Sequence, residues 1–207
     1  MTSNPDVILF DIDDTLYPTL DAEKTALNAV INYIKDISNT SSLIVKDYYT
    51  YSRNYVKLCL GNSASSHSRL LYFQRTLELL KISNLPFHSL RCEEIFWSHY
   101  LECITPQQDL VSLFETIDSS HIGIGILTDL TANIQHKKLV QLGISLFVDF
   151  VVTSEEAGRD KPNFDIYSLA NLKANSNCNH LNYWMVGNNP VKDLLGAKLE
   201  LNATTFM

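Results

Sequence analysis

Four apolar residues, Val7-Ile-Leu-Phe10, stop abruptly at the acidic string Asp11-Ile-Asp-Asp14. An apolar run without alternation marks a strand covered on both faces, the condition of a parallel sheet flanked by helices. Such a strand needs partners reached by crossover connections, so the rest of the chain must supply βα units. From about residue 105 it does. A helical pattern over 106–117 precedes the run Ile122-Gly-Ile-Gly-Ile-Leu127, and a helix over 132–142 ends at Gly143, a residue suited to a helix C-terminus. An apolar stretch at 147–153, a helix over 163–172 entered through Pro162, a strand at 183–186, a helix at 191–199 and a strand at 203–206 continue the alternation.

A different block lies between the first strand and this alternation. From Asp21 to about Ile104 apolar residues recur at helical spacing, as in Leu27, Val30, Ile34 and Ile37, or Leu70, Phe73, Leu77 and Leu80. Asp21 is expected to cap the first of these helices, and breaks are expected near 39–42, 61–66 and 84–86. The fold class is therefore α/β, with a doubly wound, Rossmann-like parallel sheet as the core and an α-helical insertion. The core takes residues 1–17 and 105–207, and the insertion takes 18–104.

Composition removes several function classes. With 16 Lys and Arg against 23 Asp and Glu the net charge is −7, and there is no basic run. Nucleic-acid polymers and anionic membranes need clustered cations, so neither is an expected partner. No apolar stretch approaches the ~20 residues that span a bilayer. The first six residues lack the charged and apolar segments of a signal peptide. Cys59, Cys92, Cys103 and Cys178 form no CxxC pair, which points to reduced thiols and a cytoplasmic setting. His67, His88 and His99 have no metal-ligand spacing and read as surface or packing residues.

In open parallel sheets, sites form at the carboxyl ends of the strands. Strand one delivers Asp11-Ile-Asp13-Asp14-Thr15, the run at 122–127 delivers Thr128-Asp129, the stretch after Thr153 leads to Lys161-Pro162, and the strand at 183–186 delivers Gly187-Asn188-Asn-Pro-Val-Lys-Asp193. Each alone has a plain structural reading: paired carboxylates and a threonine cap helices, a loop lysine is solvated, and GNNP is a turn. Four such groups in order, each at a strand end, make coincidence improbable.

This set resembles the four motifs of the haloacid dehalogenase-like hydrolase superfamily. The resemblance implies a helical cap after the first motif, where the helical block lies. It also leads one to expect further elements beyond the last strand. By this resemblance Asp11 is the nucleophile that forms an aspartyl-phosphate, and Asp13 is the general acid and then the base. Their environments are expected to push the two pKa values apart, with Asp11 ionised and Asp13 able to carry a proton. Thr128 binds a phosphoryl oxygen, Lys161 sets a positive charge beside it, and Asp129 joins Thr128 in substrate binding. Mg2+ is the implied cofactor, held by Asp11, Asp13 through its main-chain carbonyl, Asn188 and Asp193.

The resemblance also ranks the chemistry. The dehalogenase branch lacks the second aspartate, so Asp13 points to a phosphatase. Asn188 departs from the family's aspartate and is expected to weaken metal affinity; the alternative is a catalytically silent metabolite-binding protein. In the cap, the segment from Asp47 to Lys57 is faintly similar to pyrimidine 5′-nucleotidases. Tyr48, Tyr51 and Tyr55 are expected to form its packed face, with base stacking as the alternative. Arg53 and Lys57 share a helix face and are candidates for a second anionic group. The expected substrate is a small phosphorylated metabolite, a nucleoside monophosphate first and a sugar phosphate as its rival.

Overall fold

A computed structural model of the chain describes residues 4–174 and 181–207, so Cys178 lies outside the described residues. The chain divides into two compact units, Met1–Pro18 with Thr105–Met207, and Thr19–Ile104. In the first, strands β1 (Val7–Phe10), β2 (Gly123–Thr128), β3 (Phe150–Thr153), β4 (Tyr183–Val186) and β5 (Thr204–Phe206) form one sheet in the order β3-β2-β1-β4-β5. Every pairing is parallel. All four residues of β1 are buried, which is why its sequence shows no alternation. Gly125 in β2 is required by contact: a Cβ there would meet the Phe150 ring and lie 2.7 Å from Leu9. Strand order runs outward from β1 to β3 and then resumes on its other side at β4. That reversal opens a crevice at the carboxyl ends of β1 and β4.

The second unit is helical. Helix α1 (Leu20–Ser38) buries Ala22, Ala26, Val30, Ile31 and Ile34. Its N-cap is Thr19; Asp21, expected as the cap, sits in the first turn, where its charge faces the positive end of the helix dipole. Helix α2 (Ser42–Leu60) is capped by Ser41, whose hydroxyl accepts from Ile44 N–H, and it buries Val45, Tyr49, Ser52 and Val56. The expected packed face is corrected here. Tyr48, Tyr51 and Tyr55 are 38%, 53% and 44% exposed. At 3.6 residues per turn they fall about a quarter turn from the stripe that Val45, Tyr49 and Val56 anchor. Arg53 and Lys57, half-buried, flank that stripe on the opposite side.

A short 3₁₀ turn (Ala64–His67) leads to α3 (Arg69–Leu79) and α4 (Leu85–Glu102). The rings of Tyr49, Phe73 and Phe96 pack in a row, with centroids 5.5 and 5.8 Å apart. Arg69 is buried among them. Its guanidinium lies 5.1 to 5.5 Å from the ring centroids of Tyr72, Phe96 and Trp97 and pairs with Glu23 at 2.6 Å. Cation–π contact and an ion pair together offset the desolvation of that charge.

The core unit adds α5 (Gln108–Ser119), α6 (Ala132–Gln141), the short α7 (Ser154–Ala157), α8 (Phe164–Ala174) and α9 (Gly196–Leu201). The stretch expected at 147–153 becomes a strand only from Phe150; the preceding residue, Asp149, is exposed, and its carboxylate accepts from the Ile124 N–H at 2.7 Å. The single helix expected at 191–199 is a π-helical turn (Pro190–Leu195) followed by α9. Asn189 Oδ1 accepts from the N–H groups of Val191 and Lys192, and the Tyr167 hydroxyl donates to the Lys192 carbonyl. These bonds draw the chain out of α-helical register, as at many functional π turns. No described helix is long and apolar enough to cross a membrane.

Thiol reactivity checks this packing. Burial pushes the Cys92 thiol up to about 12, while Cys59 and Cys103 are exposed. Iodoacetamide at pH 8, read by peptide mass spectrometry, is expected to modify Cys59 and Cys103 and to leave Cys92 intact until denaturant is added. Equal labelling of Cys92 in the folded protein would contradict the packing of α4.

Candidate active site

Asp11 leaves β1 with its N–H donating to the Val186 carbonyl at 3.0 Å, so its carboxylate stands at the mouth between β1 and β4. Lys161 reaches it from the loop after α7. The Lys161 ammonium, 3% exposed, donates to Asp11 Oδ1 at 2.8 Å, Asp193 Oδ1 at 2.6 Å and the Leu127 carbonyl at 2.9 Å. Three hydrogens meet three acceptors. Asp193 is fully buried, and its second oxygen accepts from the Asn189 N–H at 2.9 Å. Each of its oxygens thus holds a donor, and Asp193 is the buried partner of Lys161.

Asp129, expected to touch substrate, is also engaged by the protein. Its Oδ1 accepts from the Lys161 N–H at 2.9 Å, and its Oδ2 accepts from Lys192 Nζ at 2.7 Å. It thereby ties the loop after β2 to the loops carrying Lys161 and Lys192. Thr128 closes β2 with 1% exposure, and the N-cap of α6 is Thr131, so Thr128 is not a helix cap. Between them Leu130 adopts a left-handed φ of 90°, with its N–H donating to the Ser154 hydroxyl at 2.9 Å. Backbone strain of this kind persists where neighbouring contacts enforce it.

Asp13 has a different environment. Lys138 Nζ donates to both of its oxygens at 2.7 Å, Tyr17 donates its hydroxyl to Oδ1 at 2.6 Å, and Gln135 Nε2 lies 3.4 Å from Oδ2. The same Gln135 amide donates to Thr128 Oγ1 and to the Asp129 carbonyl, each at 2.7 Å. Gln135 is completely buried and Lys138 is 2% exposed. Sequence reasoning passed over both. The signal lies in α6, whose buried positions are Ile134, Gln135, Lys138 and Leu139: two polar residues occupy the inward stripe of an amphipathic helix.

These partners reverse the expected order of acidities. Burial raises the pKa of Asp11, and the Asp193 charge adds to it; Lys161, shared between two carboxylates, offsets this only in part. Burial acts the same way on Asp13, but Lys138, with hydrogen bonds from Tyr17 and Gln135, outweighs it and holds that carboxyl below the usual range. Burial alone would lower Lys161, yet Asp11 and Asp193 hold it above the ordinary lysine range. The group of Asp11, Asp193 and Lys161 thus carries one uncompensated negative charge whenever both carboxylates ionise.

That excess charge suits a cation, and the donors fit a hard one. Asp11 Oδ1 holds Lys161, and its other oxygen receives no hydrogen bond among the described residues. Asn188, two residues beyond β4, is exposed and would offer an amide oxygen. An all-oxygen set of this kind matches magnesium. The Asp13 carboxylate is taken up by Lys138 and Tyr17, which leaves its main-chain carbonyl as the group to contribute. Arg53 and Lys57 belong to α2 of the helical unit.

A sequence profile described as haloacid dehalogenase-like hydrolase matches residues 8–205. The chain is 34% identical over 191 residues to the ribulose-1,5-bisphosphate 5-phosphatase of Halopiger xanaduensis, spanning 92% of this chain and 79% of that protein. It is 28% identical over 195 residues to the pyrimidine 5′-nucleotidase YjjG of Escherichia coli, spanning 92% and 80%. Among solved structures, the magnesium-bound HAD-hydrolase YfnB from Bacillus subtilis matches with a TM-score of 0.69 at 17% identity, over 98% of this chain and 88% of that one.

Gly187 supplies a test of the geometry. A Cβ at this position would lie 2.5 Å from the Cβ of Asp193. Gly187→Ala is expected to push Asp193 off Lys161 and to lower stability by about 1–3 kcal/mol in urea denaturation. An unchanged midpoint would show that the loop yields and that the buried pairing does not depend on this close approach.

Proposed function

The chain belongs to the haloacid dehalogenase-like hydrolase family, and from that premise we propose that it is a magnesium-dependent phosphomonoester hydrolase working through an aspartyl-phosphate. One observation carries the reading. A carboxylate stands at the reversal point of the sheet with one oxygen on Lys161 and the other without a hydrogen bond among the described residues, and a second carboxylate follows two residues later, held by Lys138.

Asp11 attacks phosphorus, and the ester oxygen leaves with a proton from Asp13. In the second half Asp13 takes a proton from water, which displaces Asp11 and releases inorganic phosphate. Thr128 accepts from Gln135, and its own hydroxyl makes only a long contact of 3.4 Å with the Asp129 carbonyl, so it can turn to a bound phosphoryl oxygen. Lys161 holds Asp11 in place and sets a positive charge against the transferring group. Asp11, the Asp13 carbonyl and Asn188 would hold magnesium, which when bound would supply further positive charge to the phosphoryl oxygens. With an amide at position 188 the site has one charge fewer for the cation than an aspartate would provide. Asp13 also separates this chemistry from halide displacement, whose leaving group needs no proton.

The substrate is a small phosphorylated metabolite met in the cytoplasm, where unpaired cysteines such as Cys59 and Cys103 persist. The partly exposed Tyr48 on α2 favours a nucleoside monophosphate, since an accessible ring can stack a base, while Tyr51 and Tyr55 stack on each other and Arg75 lies over Tyr55. A sugar phosphate is the second reading, favoured by the 34% identity to a ribulose-bisphosphate phosphatase.

Phosphate release from nucleoside and sugar monophosphates in the presence of magnesium tests both readings. Asp11→Asn is expected to lower release at least ~10³-fold, the scale of a lost nucleophile. Activity surviving that change would remove Asp11 as nucleophile, and no release from any substrate by the native chain would favour a silent metabolite-binding protein. Asn188→Asp is expected to raise activity at limiting magnesium; a flat response would remove Asn188 from the metal set.

A further inference from the structure

The hydrolase reading gives Asp13 a proton to move but does not say what aims it. The side chain sits on the loop after β1, a segment with no ladder partner of its own apart from one bridge to Tyr17. A group on such a loop needs outside support if its carboxylate is to meet water at a defined angle. The support is Lys138 on α6, with both N–O distances at 2.7 Å, and Tyr17 at 2.6 Å. Lys138 is 2% exposed, whereas the Asp13 side chain is 34% exposed. The lysine is thus buried behind the carboxylate, and the solvent side of Asp13 is left open. Two of its three N–H donors are committed to Asp13.

Resting on the phosphohydrolase reading, we propose that Lys138 and Tyr17 are positioning residues for the second half-reaction, holding Asp13 as an oriented carboxylate that activates water against the aspartyl-phosphate. In that step Asp13 accepts a proton from water, and the water oxygen forms a bond to phosphorus. The bond from phosphorus to Asp11 breaks, and Asp11 keeps the electron pair. Lys138 and Tyr17 touch neither phosphorus nor water. They act only through the carboxylate between them.

This assignment places the cost of losing them on one step. Formation of the aspartyl-phosphate from an aryl phosphate such as p-nitrophenyl phosphate needs no proton for its leaving group, so that step is indifferent to Asp13. Hydrolysis of the intermediate is not. In Lys138→Met, kcat for p-nitrophenyl phosphate is expected to fall about 10²-fold, within the range for general-base catalysis, while kcat/KM stays within about threefold of the native enzyme. Stopped-flow traces are expected to gain a burst of nitrophenolate near one equivalent per active site. Lys138→Arg, whose guanidinium can also hold both oxygens, is expected to recover most of kcat and to lose the burst. Tyr17→Phe, which removes one donor without changing ring volume, gives a smaller burst in the same direction and decides the matter if Lys138→Met does not fold.

Equal losses in kcat and kcat/KM with no burst in either Lys138→Met or Tyr17→Phe would overturn the proposal and leave these residues with a role in folding alone. Failure of the native protein to release nitrophenolate at all would instead overturn the hydrolase reading beneath it, so the two failures are distinct.

Discussion

The ammonium of Lys161 stands between two carboxylates and a main-chain carbonyl, and the geometry of the core depends on that contact. It links Asp11 after β1, the end of β2 through Leu127, and Asp193 in the π-helical turn after β4. Asp129 extends the link by holding the Lys161 main chain and the Lys192 side chain together. Four strand ends are thereby tied to one charge. Burying charges costs several kcal/mol per ion unless partners are complete. Here Lys161 and Asp193 are fully paired, and the incompletely paired group is Asp11. A lysine suits the position because its compact ammonium directs three donors to three acceptors in different loops, which a planar guanidinium does not.

The two aspartates of the first motif show how neighbours set chemistry. Asp11 and Asp13 are two residues apart, of the same type, on the same loop. Asp11 shares its lysine with Asp193, so burial prevails and its carboxyl is held above the ordinary range. Asp13 receives two hydrogen bonds from Lys138, with Tyr17 and Gln135 as further donors, and its carboxyl is held below it. The order is the reverse of what an acid next to an ionised nucleophile requires. A divalent cation on the second oxygen of Asp11 would favour the ionised form of that carboxylate, because its double positive charge at contact distance opposes desolvation.

Much of the α/β core was legible from the residues because burial writes itself into a strand as an unbroken apolar run, as in Val7–Phe10, and punctuation by Gly143, Pro162 and Pro190 limits where helices begin and end. The reading faltered where a residue's role depends on a partner far along the chain. Tyr48, Tyr51 and Tyr55 have helical spacing, but spacing does not say which of several stripes on α2 faces inward; Tyr49 does, because it meets Tyr72 and Phe73. Gln135 and Lys138 looked like ordinary helix polarity until Asp13 and Thr128 were placed against them. The π-helical turn at Pro190–Leu195 arises from Tyr167, more than twenty residues earlier, drawing on the Lys192 carbonyl.

By itself the sequence determined the kind of fold and the chemical types present at its strand ends: two aspartates, a threonine, a lysine, an asparagine and a further aspartate in order. These follow from local pattern, since hydrophobic periodicity and strand-end position are properties of neighbouring residues. Only the tertiary structure decided how those groups are paired. It set Asp193 against Lys161, tied Asp129 to the Lys161 main chain and the Lys192 side chain, and brought a second lysine to Asp13. Charge pairing depends on distances across the fold, and no periodicity along the chain encodes them.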